Sequence, residues 1–156
     1  MTRIWFDTEF YENGRTIELI SIGLVREDNV AYYAETTQAR MLCEESPWLM
    51  ANVLPHLIGQ SAVKHKQQMA EDIVNFCGPG PEFWADYASY DWVVLCQIYG
   101  RMIDLPPGWP MFCRDVQQLK LTSPHAGTMR KLIRRDEHNA LADAKECKEK
   151  YEWLAQ

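Results

Sequence analysis

Apolar residues fill Ile4-Trp5-Phe6, and the run from Arg3 ends on a carboxylate at Asp7, which reads as a short strand. Tyr11-Glu12-Asn13-Gly14 is turn chemistry. Ile17 to Val25 is rich in β-branched residues and predicts a second strand; Glu27-Asp28-Asn29 turns the chain, and Val30 to Thr36 is a third. Two closely spaced turns predict an antiparallel meander. The period then changes. Ser46-Pro47 opens a short helix that Pro55 ends, because Ser caps well and Pro suits the first helical position. Ser61 is the expected cap of a longer helix with Val63, Ala70, Ile73, Val74 and Cys77 on one face and Gly78 as its stop. Glu82 to Ala85 reads as a buried strand, Ser89 to Tyr99 as a helix stopped by Gly100, and Met111 to Asp115 as a last strand. Asn139 to Leu154 is a C-terminal helix. The order β-β-β-α-α-β-α-β-α predicts an α/β fold, a mixed five-stranded sheet flanked by helices.

The chain has 156 residues, which sets an expectation of one domain over 1–156. Its hydrophobic share of 47% is enough for one core and excludes a disordered tail. A net charge of −6 argues against holding nucleic acid by a general basic surface, so a polyanion partner needs a local basic patch or bound cations. Five widely spaced cysteines without a CxxC signal neither a disulfide framework nor a thiolate zinc site, and suit a reducing cytoplasm. No run approaches the roughly 18 apolar residues of a membrane span.

Three segments carry chemistry. Asp7 and Glu9 stand two apart on a strand, so both carboxylates point to one face and reach one hard cation such as Mg²⁺ or Mn²⁺. In Trp84-Ala85-Asp86-Tyr87-Ala88-Ser89-Tyr90-Asp91, either Asp86 or Asp91 places an acid near a helix start. In His138-Asn139-Ala140-Leu141-Ala142-Asp143-Ala144, Asn139 is a natural cap, His138 sits just outside the helix and Asp143 in its early turns. A histidine beside a carboxylate site is a candidate general base. Ala140, Ala142 and Ala144 allow this helix to approach other backbone closely. Each segment alone reads as readily as a solvated strand end, a helix cap or a surface histidine.

Together, four acids and a histidine in this order resemble the DEDDh 3′-to-5′ exonucleases, the superfamily of proofreading exonucleases, oligoribonuclease and ribonuclease T. Asp7-Thr8-Glu9 matches the first motif; Tyr90-Asp91, an aromatic directly before the acid, matches the second and favours Asp91 over Asp86; His138 with Asp143 five positions on matches the third. The resemblance runs from Arg3 to about Leu154. Where many members carry His-Asn before the motif aromatic, this chain has Asp86-Tyr87. Within the superfamily, Asp7-Thr8-Glu9-Phe10, the Glu-Asn-Gly turn, Thr16 to Gly23, Leu95-Cys96-Gln97 and the later Leu-Pro-Pro stretch resemble ribonuclease AS, the polyadenylate-directed exoribonuclease group.

The resemblance implies an RNase H-like fold, a single 3′-5′ exonuclease domain, and two Mg²⁺ ions per site with Mn²⁺ as substitute. Asp7, Glu9, Asp91 and Asp143 would hold the ions and His138 would deprotonate water, releasing nucleoside 5′-monophosphates. Four acids without metal repel one another, so the empty site should bind cations strongly and be locally unstable. The implied partner is single-stranded RNA, favouring adenylate-rich tails, and the implied assembly is a homodimer. An exodeoxyribonuclease of the same fold and an inactive nucleic-acid-binding module are the alternatives; the complete set of acids and His138 argues against the module.

Phe10 and Tyr11 are expected to stack on bases at the 3′ end. Arg130, Lys131, Arg134 and Arg135, in the run just before His138, are the expected phosphate contacts. Lys64-His65-Lys66 is the weaker candidate for that role. Asp115 reads as structural, and Trp5, Trp48, Trp92 and Trp153 as core or interface residues.

Overall fold

The computed structural model describes residues 1–128 and 137–156. The meander is present as β1 (Arg3–Glu12), β2 (Ile17–Arg26) and β3 (Ala31–Thr36). β1 runs five residues beyond its predicted end, so Tyr11 and Glu12 belong to the strand and the turn begins at Asn13. That turn is closed by Asn13 Oδ1, which accepts from the N–H groups of Arg15 and Thr16 at 3.0 and 2.9 Å. Gly14 there has φ +81°, open to a residue without Cβ.

Beyond the meander come α1 (Ala39–Glu44), α2 (Pro47–Asn52), a 3₁₀ turn at Leu54–His56, β4 (Val63–Lys64) and α3 (Lys66–Cys77). β5 (Glu82–Ala85) and α4 (Ser89–Tyr99) follow, then β6 (Arg114–Asp115), α5 (Val116–Thr122) and α6 (Ala140–Leu154). The sheet order is β4-β3-β2-β1-β5-β6. Among the described residues it has six strands, not the five expected. The extra one is Val63–Lys64, which pairs in parallel with Glu35 and Thr36. Those residues were expected inside the helix opening at Ser61, but edge pairing claims them and α3 starts at Lys66. α1 and α5 were not expected either. The cap of α1, Gln38, makes no side-chain hydrogen bond, so α1 carries no start signal. α5 is capped by Asp115, whose carboxylate accepts from Gln117 N–H at 2.8 Å.

The alternation of β1 sorts the layers. Ile4 and Phe6 face α3 and α4, in a core with Ile22, Leu24, Phe83, Met69, Ile73 and Leu95. Trp5 faces the other way, packed with Trp84, Val116, Cys147 and Leu154 beneath α5 and α6. A separate cluster of Ile20, Leu42, Cys43, Leu49 and Val53 lies under α1 and α2. Trp5 and Trp84 are thus core, but Trp48 and Trp153 are substantially exposed.

Gly23 sets how close α6 comes to the sheet. It pairs with Asp7 across β1 and β2. A Cβ there would lie 2.4 Å from Leu141 Cα and N and 2.5 Å from the Ala140 carbonyl carbon, all backbone atoms. Glycine on the strand and alanines on the helix therefore allow backbone to rest on backbone. Farther along α6, the buried ammonium of Lys148 donates to the carbonyls of Arg26 and Glu27 and to Asn29 Oδ1. These contacts satisfy a charge that would otherwise be costly to bury and pin α6 to the β2–β3 turn.

Candidate active site

β1 carries Asp7 and Glu9 on its α6 side and Thr8 on the side of α4. A register shift between Glu9 and Phe10 bends the strand just past the second acid. β5 pairs with β1 only as far as Trp5. Beyond that point Asp91, in the first turn of α4, takes over. Its Oδ1 accepts from the Thr8 backbone N–H at 2.8 Å and from Thr8 Oγ1 at 2.6 Å. Asp91 is therefore fixed to the residue between the two strand acids.

The third motif arrives on α6. Asn139 caps the helix, its Oδ1 accepting from Ala142 N–H at 3.0 Å, and its Nδ2 donates to the His56 carbonyl at 3.3 Å. His138 precedes the cap in a left-handed conformation, φ +70°. Its backbone N–H donates to Asp143 Oδ2 at 2.9 Å. Among the described residues, Glu9, His138 and Asp143 offer ligand atoms that all lie within 4.8 Å of one another.

Burial and mutual repulsion dominate the electrostatics. Desolvation raises the Asp7 carboxyl well above its ordinary range, and Asp91, Glu9, Asp143 and Asp86 push it further. Glu9 is pushed up to about 8, first by desolvation and then by Asp143 and Asp91. Asp91 is raised to about 6 by desolvation, although the Thr8 hydrogen bonds oppose the rise. Asp7, Glu9 and Asp91 are thus desolvated together, with Asp143 close enough to push on the first two.

The rival acids have other duties. Asp86 accepts from Lys150 Nζ at 2.5 Å and Gln117 Nε2 at 2.6 Å. Asp115, besides capping α5, accepts from the N–H groups of Tyr87 and Ala88 at 3.3 and 3.1 Å. It thereby holds the turn before α4, where Tyr87 has φ +58°. Phe10 lies with its ring 5.7 Å from that of Tyr90. Tyr11 is not brought into that pair: it packs against the cluster under α1 and α2. Lys64 is ion-paired with Asp72. Arg130, Lys131, Arg134 and Arg135 lie outside the described residues. Sequence reasoning missed Trp48 as a neighbour of the site. Its ring meets that of His138 edge-on, centroids 4.8 Å apart and planes at 77°; nothing in its spacing announced this.

A mixed sheet whose central strand brings acids against the first turns of two helices is the RNase H-like architecture of the 3′-5′ exonucleases. The chain belongs to the family described as the 3′-5′ exoribonuclease Rv2179c-like domain, which matches residues 2–154. It is 40% identical over 151 residues to the 3′-5′ exoribonuclease Rv2179c of Mycobacterium tuberculosis strain ATCC 25618 / H37Rv, covering 92% of this chain and 88% of that one. The 3′-5′ exoribonuclease MT2234.1 of strain CDC 1551 / Oshkosh matches equally well. The chain is accordingly a 3′-5′ exoribonuclease by homology.

Its fold is similar to that of the zinc-bound E. coli exonuclease I–single-stranded DNA complex, with a TM-score of 0.62 at 11% identity over 98% of this chain. Exonuclease I of Methylocaldum szegediense gives 0.57 at 15% identity over 94%. The chain spans only 40% and 38% of those longer proteins. No helix among the described residues is long and apolar enough to cross a membrane.

Proposed function

We propose that this enzyme removes nucleoside 5′-monophosphates from the 3′ ends of single-stranded RNA, favouring adenylate-rich tails as the ribonuclease AS group does. The observation that carries the proposal is the convergence of Glu9, His138 and Asp143 beside Asp7 and Asp91. The donor set fits a hard divalent cation, because carboxylate oxygens predominate and their buried, mutually repelling charge is relieved by one. Asp7, Glu9, Asp91 and Asp143 would hold two Mg²⁺ ions, with Mn²⁺ as substitute. When bound, such ions acidify water and stabilise a leaving 3′ oxygen.

The chain's own groups do the rest. His138 accepts the proton of the attacking water on an imidazole nitrogen, and its backbone N–H keeps Asp143 aligned. Phe10, paired with Tyr90, offers a face for the terminal base, where stacking is worth about 1–3 kcal/mol. Tyr11, half-buried against the cluster under α1 and α2, would add a second face at the 3′ end. Glu9, or backbone near it, would accept from the 2′-hydroxyl that marks RNA. Arg130, Lys131, Arg134 and Arg135 would follow the incoming phosphates. We place the enzyme in the cytoplasm as a single-domain homodimer, on the strength of its cysteine usage and the ribonuclease AS resemblance.

Initial rates on oligo(A), oligo(C), oligo(U) and oligo(dA), with 3′-phosphate-blocked controls, test the proposal. Oligo(A) should be degraded fastest, from its free 3′ end. Equal rates on oligo(A) and oligo(dA) would remove the RNA assignment. Equal rates across the RNA homopolymers would remove the adenine preference and leave the exonuclease standing.

A further inference from the structure

Among the described residues, His138 is hydrogen-bonded through its backbone. The N–H is engaged by Asp143, and the next residue caps α6. The residue lies outside α6, at φ +70°. Trp48 meets the ring edge-on, centroids 4.8 Å apart, while a ring nitrogen lies within 4.8 Å of Glu9 and Asp143 oxygens.

Trp48 is the second residue of α2 and is 52% exposed. It belongs to none of the buried clusters among the described residues. α2 itself is anchored: Ser46 Oγ accepts from Leu49 N–H at 3.5 Å, and Leu49 is buried in the cluster beneath. The 3₁₀ turn that follows α2 also grips the start of α6, through the His56 carbonyl and Asn139 Nδ2. One anchored segment thus touches both the histidine ring and the cap beside it.

We propose that Trp48 is a positioning residue, which holds the His138 imidazole in the orientation that receives the water proton. The inference rests on the reading of His138 as the base. A χ rotation that turns the ring away would remove that base from its place without disturbing the acids, and Trp48 stands where it limits such rotation.

The test is a double-mutant cycle at saturating Mg²⁺, on whichever of oligo(A) and oligo(dA) the wild-type enzyme hydrolyses faster. Trp48→Ala should lower kcat about tenfold, the scale of a lost aromatic pair, with KM and melting temperature nearly unchanged. Trp48→Phe should restore most of kcat. In a His138→Ala background, Trp48→Ala should cost nothing more. If Trp48→Ala does not fold, Trp48→Leu, which keeps bulk without a ring, takes its place. An unchanged kcat would overturn the inference, as would a raised KM at constant kcat, which would make Trp48 a substrate contact. The same fractional loss in the His138→Ala background would overturn it too. Wild-type turnover in His138→Ala would instead remove the base itself, and this inference with it.

Discussion

Helices α4 and α6 both begin beside β1, and both carry an acid in the first turn. The cap residue of α4, Ala88, has no polar side chain to cap with, so the start of the helix is held from outside by Asp115. Its acid is then fixed by the strand itself, through two hydrogen bonds from Thr8 to Asp91. α6 is the reverse. It caps itself with Asn139, and its acid is aligned by the backbone of the neighbouring His138. The distance of Asp143 from β1 is then set by how the whole helix docks, through Gly23 near one end and Lys148 farther on. Asp91 is thus positioned locally, whereas His138 and Asp143 are positioned by packing. Changes to packing should reach the second pair and spare the first.

The largest effect should come from removing charge on either side of this division. Asp7→Asn and Asp143→Asn should each reduce turnover by about 10³-fold or more, the scale of lost charge stabilisation at a reacting phosphate. Excess chelator should do the same to the wild type. Neither substitution should lower the melting temperature of the metal-free protein, because each relieves repulsion among crowded acids. Turnover on end-labelled RNA and a thermal melt check the two halves. Substantial activity in either variant would remove the metal-centred reading of the cluster.

Docking itself is tested by Gly23→Ala. The new methyl would meet Leu141 backbone at 2.4 Å, so either the helix or the strand must move. Overpacking of this kind costs about 1–3 kcal/mol. A displacement of about 1 Å at a catalytic group costs about 10²-fold. Turnover should therefore fall by one to two orders of magnitude, roughly, while the Thr8 amide keeps its hydrogen bond to Asp91. Activity measured beside the chemical shift and exchange protection of that amide would separate the two. If the Thr8 amide loses protection with activity, the two helices do not dock independently.

Much of this was legible in the sequence, and the gaps have physical causes. β5 and α4 match their predicted bounds, because Gly100 and the apolar run through Ile98 mark the helix and Phe83-Trp84-Ala85 marks the strand. Asn139 announced α6, and the alanines after it announced a close approach. What they approach was not legible, since Gly23 sits in a strand more than a hundred residues earlier. β4 has two residues and no periodicity to read. β1 outran its prediction because Tyr11 and Glu12 resemble turn residues until the pairing with Ile17 and Glu18 is known. Of the site, the acids and His138 were expected from their likeness to the exonuclease motifs, which also chose Asp91 over Asp86; spacing alone left each segment open. Trp48 could not be named, because its contact with His138 exists only after α2 has folded back over the start of α6.

The smallest effect expected is a pH-dependent difference in stability. A free carboxyl titrates near pKa ~4, whereas in the fold Glu9 is raised to about 8 and Asp91 to about 6. Between those limits the native state keeps protons that the unfolded chain has lost. Metal-free stability should therefore fall as pH rises from 5 to 8. Asp28 and Asp104, held near 2 by hydrogen bonds from Arg26 and Arg101, titrate below this window and do not mask the trend. Divalent cations compete with protons for the same oxygens, so Mg²⁺ should stabilise more at pH 8 than at pH 5. At about a hundredfold excess over its Kd, a ligand contributes about 2.7 kcal/mol. At about 2–4 °C per kcal/mol for a chain of this size, that raises the melting temperature by about 5–10 °C. Glu9→Gln should flatten both dependences, and Asp91→Asn should flatten them less, because Asp91 is the less displaced of the two. Thermal melts at the two pH values, with and without Mg²⁺, decide it. A metal-free melting temperature that rises from pH 5 to 8 would mean that the acids are not crowded as described.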